Sequence, residues 1–374
     1  MSSIPIADPV VGSAEKERAL DVIDNGQLAD GAEVRRFEEE FAAFCDCEFG
    51  VGTANGTTAL ETALRGLGIG SGDRVVTTPF SFIATANAVR HCGATPVFAD
   101  IGPETYNLDP DAVESVIRDH DGDVDAILLV HLYGLPADLD RFLDLADTYD
   151  VSLVEDAAQA HGAEYDGEPA GSFGDAACFS FYPTKNMTTG EGGMIVTDRE
   201  DVARRARRYV DHGRAETEDG GYRHVETGHN FRMTSIAAAI GREQLELLPA
   251  FNQSRREHAR QLSETLSDVA GIHTPVEPSD RRHVFHQYTV RHGSRDSLQQ
   301  ALDHAGVGSK VYYPTPIHEQ PAYSSVEGSF PVAERVAGEV LSVPVHPTLT
   351  QDQVSRVADA VENAVADKRG VADD

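Results

Sequence analysis

Short, continuous apolar runs alternate with helical stretches between about residues 50 and 200. A strand buried on both faces shows such a run rather than strict alternation, and strands that alternate with helices form a largely parallel sheet. Helical segments such as DPDAVESVIRDH and DLDRFLDLADTYD follow several of the runs. The pattern therefore predicts an α/β fold, with strands at RVVTTPF, TPVFADI, DAILLVHLYG, VSLVEDAA, AACFSF and GGMIVTD.

Helical patterns flank this region on both sides. Before it, residues 13–25 and 31–45 place apolar side chains at helical spacing. After it, the chain combines a polar helix (SRREHARQLSETLSD), the strand HVFHQYTV, a helix near SLQQALDHAG and a final helix, QDQVSRVADAVENAVAD. We predict a large domain over residues 1–249, a smaller C-terminal α/β domain over 250–374, and a frayed end at KRGVADD.

Acidic residues outnumber Lys and Arg by 62 to 31, a formal charge of −31, and only four of the basic residues are lysines. We interpret this as adaptation to concentrated salt, where a high net charge maintains solubility. An ordinary acidic cytosolic protein is the alternative. Nucleic-acid binding needs a basic surface, so we expect none. The chain has no apolar run of about 18 residues and no secretory signal pattern, so we expect a cytoplasmic protein with no membrane partner.

The cysteine and histidine spacings do not match a metal site. Cys45 and Cys47 form C-x-C, but no C-x-x-C pair completes a zinc motif. His283 and His286 form H-x-x-H inside the predicted strand HVFHQYTV, where their side chains point to opposite faces. We expect reduced thiols and no bound metal.

Two segments at predicted strand ends carry groups that could bind a ligand. In GTANGTTALETAL, Gly56 and Thr57 open a helix whose N-terminal amides can bind phosphate, although a plain helix cap explains them equally well. In VSLVEDAAQAHG, Glu155 and Asp156 follow an apolar run, at the edge of the sheet where such folds bind ligands. A capping role is the alternative for these acids.

Two further segments carry a nucleophile and an aromatic surface. Ser180 lies in the predicted strand ACFSF, and Lys185 follows in a loop rich in Gly, Thr and Pro. A lysine there is either a surface charge or an amine that forms a Schiff base. In the second case the amine must first lose its proton. Phe80 and Phe82 follow another strand, where an aromatic side chain either packs in the core or stacks on a planar ring.

Together these parts suit pyridoxal 5'-phosphate. This planar, phosphorylated aldehyde needs a lysine for the imine, an anion cradle for the phosphate and an aromatic face for the ring. It also needs a carboxylate that keeps the pyridine nitrogen protonated, so that the ring withdraws electrons.

At these segments the chain resembles the DegT/DnrJ/EryC1/StrS family of pyridoxal-phosphate-dependent sugar aminotransferases. The resemblance covers about residues 5–365 and is strongest in six segments in order: NGTTAL, PFSFIATAN, EDAAQAHGA, FSFYPTKN-x3-GEGG, GHNFRM-x2-IAAAIG and YYPTPIHEQPAY. It implies the type I aminotransferase fold, with a mostly parallel seven-stranded sheet, a small C-terminal domain and a homodimer with shared active sites. With the acidic composition, it suggests a halophilic archaeon as the source.

The resemblance also implies a reaction and residue roles. The family transfers an amino group, from L-glutamate in most members, to a keto group of a nucleotide-linked sugar, for surface polysaccharide or glycoprotein glycans. Lys185 matches the Schiff-base lysine that also moves the proton. The matched cofactor contacts are Asp156 at the pyridine nitrogen, Gln159 at the phenolic oxygen side, Phe82 on the ring, and Gly56, Thr57 and Ser180 at the phosphate.

Four further positions match residues nearer the dimer interface and the sugar. Asn230 matches an asparagine that reaches the phosphate of the neighbouring subunit, and Arg232 is a candidate for an anionic substrate group across the same interface. Tyr313 and His318 lie in a segment similar to the family's sugar-site loop.

Two other functions compete with this assignment. Sugar dehydratases that use the same cofactor resemble this chain but replace the lysine by histidine, whereas this chain has Lys185. A non-enzymatic regulatory protein has no need for the combination of Lys185, Asp156 and Ser180, and a DNA-binding regulator needs a basic face.

Overall fold

A seven-stranded, mostly parallel sheet forms the centre of the structure, a computed structural model that describes residues 3–217 and 220–366. Its seven strands are β1 (Phe49–Thr53), β2 (Arg74–Thr77), β3 (Thr95–Phe98), β4 (Ala126–Val130), β5 (Ser152–Asp156), β8 (Ala176–Ser180) and β9 (Gly193–Thr197). They lie in the order β1-β9-β8-β5-β4-β2-β3. The pairs along β3-β2-β4-β5-β8 are parallel, whereas β9 is antiparallel to both β8 and β1.

Shorter strands and eleven helices complete the described part of the chain. The short strands are β6 (Glu164–Tyr165), β7 (Glu168–Pro169), β10 (Arg214–Glu216), β11 (Tyr222–His224), β12 (Arg281–Arg282), β13 (Tyr288–Arg291) and β14 (Val340–Val343). The helices are α1 (Ser13–Asn25), α2 (Ala32–Phe44), α3 (Gly56–Gly66), α4 (Ala84–His91), α5 (Pro110–Asp119), α6 (Leu139–Tyr149), α7 (Glu200–Val210), α8 (Ser235–Leu266), α9 (Arg295–His304), α10 (Pro331–Glu339) and α11 (Gln351–Ala366).

Both faces of the central sheet are buried, which explains the continuous apolar runs. In β4, Leu128 packs with α3, α4 and α7, while its neighbour Leu129 packs on the opposite face with α5 and α6. In β9, Ile195 packs on the same face as Leu128, while its neighbour Val196 packs on the opposite face with α2 and α8. Successive side chains of a strand point to opposite faces, so most positions of a strand that is covered on both faces are apolar.

The structure confirms the six predicted strands of the sheet and corrects the predicted strand HVFHQYTV. That strand begins only at Tyr288. Before it, Phe285 has a left-handed backbone (φ 45°), and its N–H donates to His283 Nδ1 at 2.9 Å. A residue with positive φ interrupts strand geometry, so the opposite-face argument for His283 and His286 was wrong. The prediction also missed β1, whose sequence FGVGT is interrupted by glycine.

Helix α8 connects two hydrophobic cores. Its first half packs beside the sheet through Ala237, Ala238 and Leu248, and its second half packs through Ala259 and Leu262 into a core with β13, β14, α9 and α11. The predicted polar helix is the second half of α8. The predicted domain boundary at residues 249/250 falls within α8, so the division into two domains stays a prediction.

Two sequence-based expectations concern the chain end and the membrane. The segment KRGVADD lies outside the described residues. Within the described ranges, every helix is too short or too polar to cross a bilayer.

Glu155, at the end of β5, is fully buried and holds the loop that precedes β8. Its carboxylate accepts backbone N–H groups from Gly171, Phe173 and Gly174 at 2.8–2.9 Å. His131 Nε2 lies 2.8 Å from the same carboxylate, while its Nδ1 accepts the Ala137 N–H. Burial raises the pKa of Glu155, but these donors outweigh it and the net pKa is lowered. Glu155 therefore has a structural role.

We expect Glu155→Ala to reduce the free energy of unfolding by about 3–5 kcal/mol, because the buried donors lose their acceptor. A carboxyl group whose pKa is lower in the folded state than in the unfolded state stabilises the folded protein at pH values above its unfolded-state pKa. This stabilisation is lost as the pH falls through the folded-state pKa. The difference in the free energy of unfolding between wild type and Glu155→Ala should therefore decrease at acidic pH. Urea unfolding at several pH values measures this, with the exposed Glu264→Ala as control. Equal urea midpoints for wild type and Glu155→Ala at neutral pH would contradict the role.

Candidate active site

A cavity of about 1040 Å³ opens at the carboxyl ends of β4 and β5. Its wall includes the N-terminus of α3, the loop after β2, the loop after β8 and residues 310–317. Gly56, Thr57, Phe82, Asp156, Gln159, Ser180, Lys185 and Tyr313 all line it. The structure thus brings together eight of the residues that the sequence singled out.

The N-terminus of α3 forms the part of the wall suited to an anion. Asn55 and Thr58 cap the helix reciprocally, with Asn55 Oδ1 accepting the Thr58 N–H at 3.0 Å. Gly56 and Thr57 belong to the first turn, whose N–H groups have no acceptor within a helix. A Cβ atom at Gly56 would lie 2.7 Å from Ser180 Cβ, so only glycine permits this approach. The arrangement combines backbone donors, a hydroxyl and a helix dipole.

Asp156 lies at the end of β5 and is 5% exposed. Thr85 Oγ1 donates to its carboxylate at 2.8 Å, and Ser81 Oγ donates to Thr85 at 2.9 Å. The Ala158 N–H donates to the other carboxylate oxygen. Burial raises the pKa of Asp156, while the Thr85 hydroxyl and the charge of Lys185 act in the opposite direction. These donors fix the orientation of the carboxyl group. The net pKa of Asp156 is raised, so a cationic N–H placed beside it would stabilise its charged form.

Gln159 connects Tyr313, which lines the cavity, to the buried Tyr133 behind it. Its Oε1 accepts the Tyr133 N–H at 2.8 Å, and its Nε2 donates to Tyr313 Oη at 3.0 Å. The rings of Tyr133 and Tyr313 stack with centroids 6.1 Å apart. Both tyrosines have left-handed backbones, with φ of 58° and 59°, a conformation that costs free energy and depends on surrounding contacts. These contacts fix the amide of Gln159.

Lys185 lies in the loop after β8, and its backbone N–H donates to the Tyr182 carbonyl at 2.9 Å. Its side chain is half-buried and lines the cavity. Burial lowers the pKa of Lys185 to about 8, although the charge of Asp156 pulls it upward. A lowered pKa increases the fraction of uncharged amine near neutral pH, and the uncharged amine is the nucleophilic form.

A chain of buried amides holds the residue that follows Lys185. The His161 carbonyl accepts from Asn252 Nδ2 at 2.7 Å, and Asn252 Oδ1 accepts from Asn186 Nδ2 at 2.8 Å. Asn186 Nδ2 also donates to the Val284 carbonyl, so Asn186 Oδ1 faces His286 Nδ1 at 3.2 Å. Because backbone carbonyls only accept, this order assigns the proton to His286 Nδ1. Burial also lowers the pKa of His286 well below its usual range, so the ring is neutral.

Sequence reasoning missed His286, which lines the cavity, and the two asparagines behind it. His286 was considered only as part of a metal motif. Asn186 directly follows Lys185 and was a visible signal, but its partner Asn252 lies 66 residues away on α8. Such a pairing depends on tertiary structure.

The two phenylalanines divide between core and cavity. Phe80 is fully buried and packs edge-on against Tyr313, with centroids 5.9 Å apart. Phe82 is 60% exposed and lines the cavity. The ring-stacking role of Phe82 stays a prediction.

Asn230 and Arg232 lie in the segment before α8, with Phe231 between them in the cavity wall. Asn230 forms a β-bridge with Asp211, and Arg232 forms an ion pair with the same aspartate. Their roles across a dimer interface stay predictions.

His318 is not among the residues that line the cavity; it is buried against Phe330 at a centroid distance of 4.7 Å. Its Nε2 lies 3.3 Å from Glu334. Potential ligand atoms of His318, Glu319 and Glu334 lie within 4.8 Å of one another. Glu334 also accepts the Phe330 N–H at 2.9 Å, which explains its position at the start of α10 without an ion.

Comparisons with known proteins agree with this geometry. Residues 9–362 match the DegT/DnrJ/EryC1/StrS aminotransferase family. The chain is 41% identical to the dTDP-3-amino-3,4,6-trideoxy-alpha-D-glucose transaminase of Streptomyces venezuelae, covering 93% of this chain and 91% of that protein. It is 40% identical to the pleiotropic regulatory protein of Geobacillus stearothermophilus, with 92% of each chain covered.

Solved structures show the same fold. Streptomyces venezuelae DesV, in complex with a ketimine intermediate, superposes with a TM-score of 0.92 at 39% identity, covering 98% of this chain and 99% of that one. The PMP-form of the putative sugar aminotransferase Spr1654 from Streptococcus pneumoniae gives a TM-score of 0.91 at 25% identity, with 97% and 99% covered. The chain belongs to the DegT/DnrJ/EryC1/StrS aminotransferase family, whose members use pyridoxal phosphate.

Proposed function

We propose that this enzyme transfers an amino group from L-glutamate to the keto group of a nucleotide-linked sugar, as a cytoplasmic homodimer. The observation that carries the proposal is the cavity that places the low-pKa amine of Lys185 near the buried carboxylate of Asp156. A UDP-N-acetyl-3-dehydro-alpha-D-glucosamine 3-aminotransferase of Acidithiobacillus ferrooxidans, 38% identical over 96% of this chain, supports a nucleotide-linked substrate.

The residues of the cavity fit pyridoxal phosphate. The close approach of Gly56 to Ser180, which a Cβ atom would prevent, brings the Ser180 hydroxyl beside the first turn of α3, where a phosphate could accept hydrogen bonds from both. Asp156 would hold the pyridine nitrogen, Gln159 the phenolic oxygen side, and Phe82 would cover the ring. Lys185 would bind the aldehyde carbon. When bound, the cofactor supplies an electron-withdrawing ring that stabilises negative charge at a substrate carbon.

The chain's own groups then hold and move protons. Asp156, fixed by Thr85 and Ala158, keeps a proton on a ring nitrogen through charge and hydrogen bonding. The Lys185 amine takes a proton from the α-carbon of the donor and returns one to the sugar carbon in the second half of the reaction. The amide chain through Asn186 keeps the Lys185 loop in place for both steps.

A homodimer would complete the site from the neighbouring subunit. Asn230 and Arg232 would then contact the phosphate and an anionic substrate group across the interface. Exposed apolar side chains support self-association: Leu20 and Ile23 of α1 and Leu28 after it are 48–56% exposed. Buried in an interface, these side chains would contribute apolar area.

We expect Lys185→Ala to abolish the visible absorbance of the lysine-bound cofactor and to lower turnover at least roughly 100-fold. The variant loses both the amine that binds the aldehyde and the group that moves the proton. Absorbance spectra and release of 2-oxoglutarate from glutamate measure this, with the exposed Lys16→Ala as control. The proposal is wrong if the absorbance of the lysine-bound cofactor survives in Lys185→Ala.

A panel of keto-sugars, with and without a linked nucleotide, tests the substrate class. Each is incubated with glutamate and holoenzyme, and amination is read by mass spectrometry. We expect product only from nucleotide-linked keto-sugars. Amination restricted to free sugars would reject the proposed substrate class, and a dehydrated product would favour the dehydratase.

The lowered pKa of Lys185 predicts the pH range in which its amine reacts. In the cofactor-free protein, labelling of Lys185 by acetic anhydride should rise with pH and reach half its maximum near pH 8, below the value of about 10.4 for an ordinary lysine. Asp156→Asn removes a charge that raises this pKa, so the midpoint should move to lower pH. Peptide mass spectrometry measures both. A midpoint near 10.4, or an upward shift in Asp156→Asn, would refute the electrostatic argument.

A further inference from the structure

We propose that Lys310 binds the diphosphate of the nucleotide-linked substrate at the mouth of the cavity. The inference rests on the proposed function and names a residue that neither the motifs nor the predicted site included. Its basis is the charge of the cavity wall, the fixed backbone of Lys310 and the position of its ammonium group.

The cavity wall holds few cations for an anionic substrate. Among the described residues that line it, the lysines are Lys185 and Lys310, and arginine is absent from that set. Glu61, Asp156 and Glu191 supply carboxylates to the same wall. A nucleoside diphosphate adds at least two negative charges, and the cofactor phosphate adds more. Without a cation near the diphosphate, bringing these charges together in a partly desolvated cavity is unfavourable.

Lys185 does not meet this requirement, because its amine is assigned to the aldehyde and faces Asp156. The histidines of the wall do not meet it either. His286 is neutral, and His91 is paired with the carboxylate of Glu61, 3.2 Å away. Within the wall that one subunit supplies, this leaves Lys310 as the described cation that is available for the diphosphate.

The backbone of Lys310 is held in place by the second core, which is the hydrophobic core formed by β13, β14, α9, α11 and the second half of α8. Its N–H donates to the Ser342 carbonyl at 3.0 Å, and the Ser342 N–H donates back at 2.9 Å. Ser342 belongs to β14, which pairs with β13. The segment that carries Tyr312 and Tyr313 into the cavity therefore starts from a fixed position.

The side chain of Lys310 is exposed, and its ammonium lies 5.0 Å from the centroid of the Tyr312 ring. Contact with an aromatic face holds the cation loosely and leaves its three donors available. Lysine is a point charge on a flexible stem, which suits a phosphate group with several possible orientations. Of the two lysines in the wall, Lys185 is half-buried and Lys310 is exposed, an order from inside to outside that matches keto-carbon, sugar and diphosphate in the substrate.

The test uses the holoenzyme and compares Lys310→Ala, Lys310→Arg and the control Lys16→Ala. Calorimetry with UDP and with dTDP measures diphosphate binding without turnover. We expect Lys310→Ala to weaken binding about 10-fold or more, because a charged hydrogen bond is lost, and Lys310→Arg to retain most of it. Lys16→Ala should bind as the wild type does. Higher salt should reduce the difference between wild type and Lys310→Ala.

Measuring the glutamate half-reaction and the keto-sugar half-reaction separately distinguishes loss of a diphosphate contact from general damage to the active site. In Lys310→Ala, the rate at which glutamate converts the cofactor should stay unchanged, while the KM for the nucleotide-linked keto-sugar rises and kcat is retained. Unchanged UDP and dTDP affinity, or an equal loss in the glutamate half-reaction, would overturn the role of Lys310. If wild-type enzyme neither binds these diphosphates nor aminates a nucleotide-linked sugar, the proposed function fails as well, and the wild-type measurements identify that outcome.

Discussion

Burial of the central sheet on both faces determines where polar chemistry can occur in this chain. Helices cover each face, so a charged side chain is tolerated only where a strand ends and partners are available. Glu155 and Asp156 show the consequence, because adjacent residues of one strand point in opposite directions. Glu155 turns towards backbone donors of the loop before β8, and Asp156 turns into the cavity. One dipeptide thus supplies both a structural and a functional carboxylate.

The residues of the cavity wall are positioned by hydrogen bonds from buried amide side chains, some of which lie outside the wall. Asn186 and Asn252 connect the Lys185 loop to α8, and the same amides give His286 its tautomer. Gln159 fixes Tyr313 by a comparable route. These buried polar groups are paired with one another, which is the condition under which such networks add order rather than cost. The positions of reactive atoms therefore depend on amides that do no chemistry themselves.

The sequence allowed much of the fold to be predicted, because strands buried on both faces leave continuous apolar runs. It also indicated Lys185 and Asp156, since a lysine or an acid at a strand end is uncommon enough to be noticed. Periodicity failed at β1, where glycines replace apolar residues, and at His286, where one left-handed residue breaks the strand. The partnership of Asn186 with Asn252 and the place of Lys310 depend on folding that brings distant segments together. A single sequence does not encode those distances in any local pattern.

Helix α8 contains Pro249, which has no N–H to donate to the preceding turn. Beyond it, about 17 residues extend roughly 25 Å at 1.5 Å per residue. A tilt of about 5° at this point displaces the far end by about 2 Å, close to the difference between a formed and a broken hydrogen bond. Asn252 lies three residues beyond the proline, close to the pivot, and therefore moves by only a few tenths of an ångström. A bend at Pro249 would therefore leave the amide that supports Lys185 nearly stationary, whereas Lys310, which is attached to β14 of the second core, would move with that core.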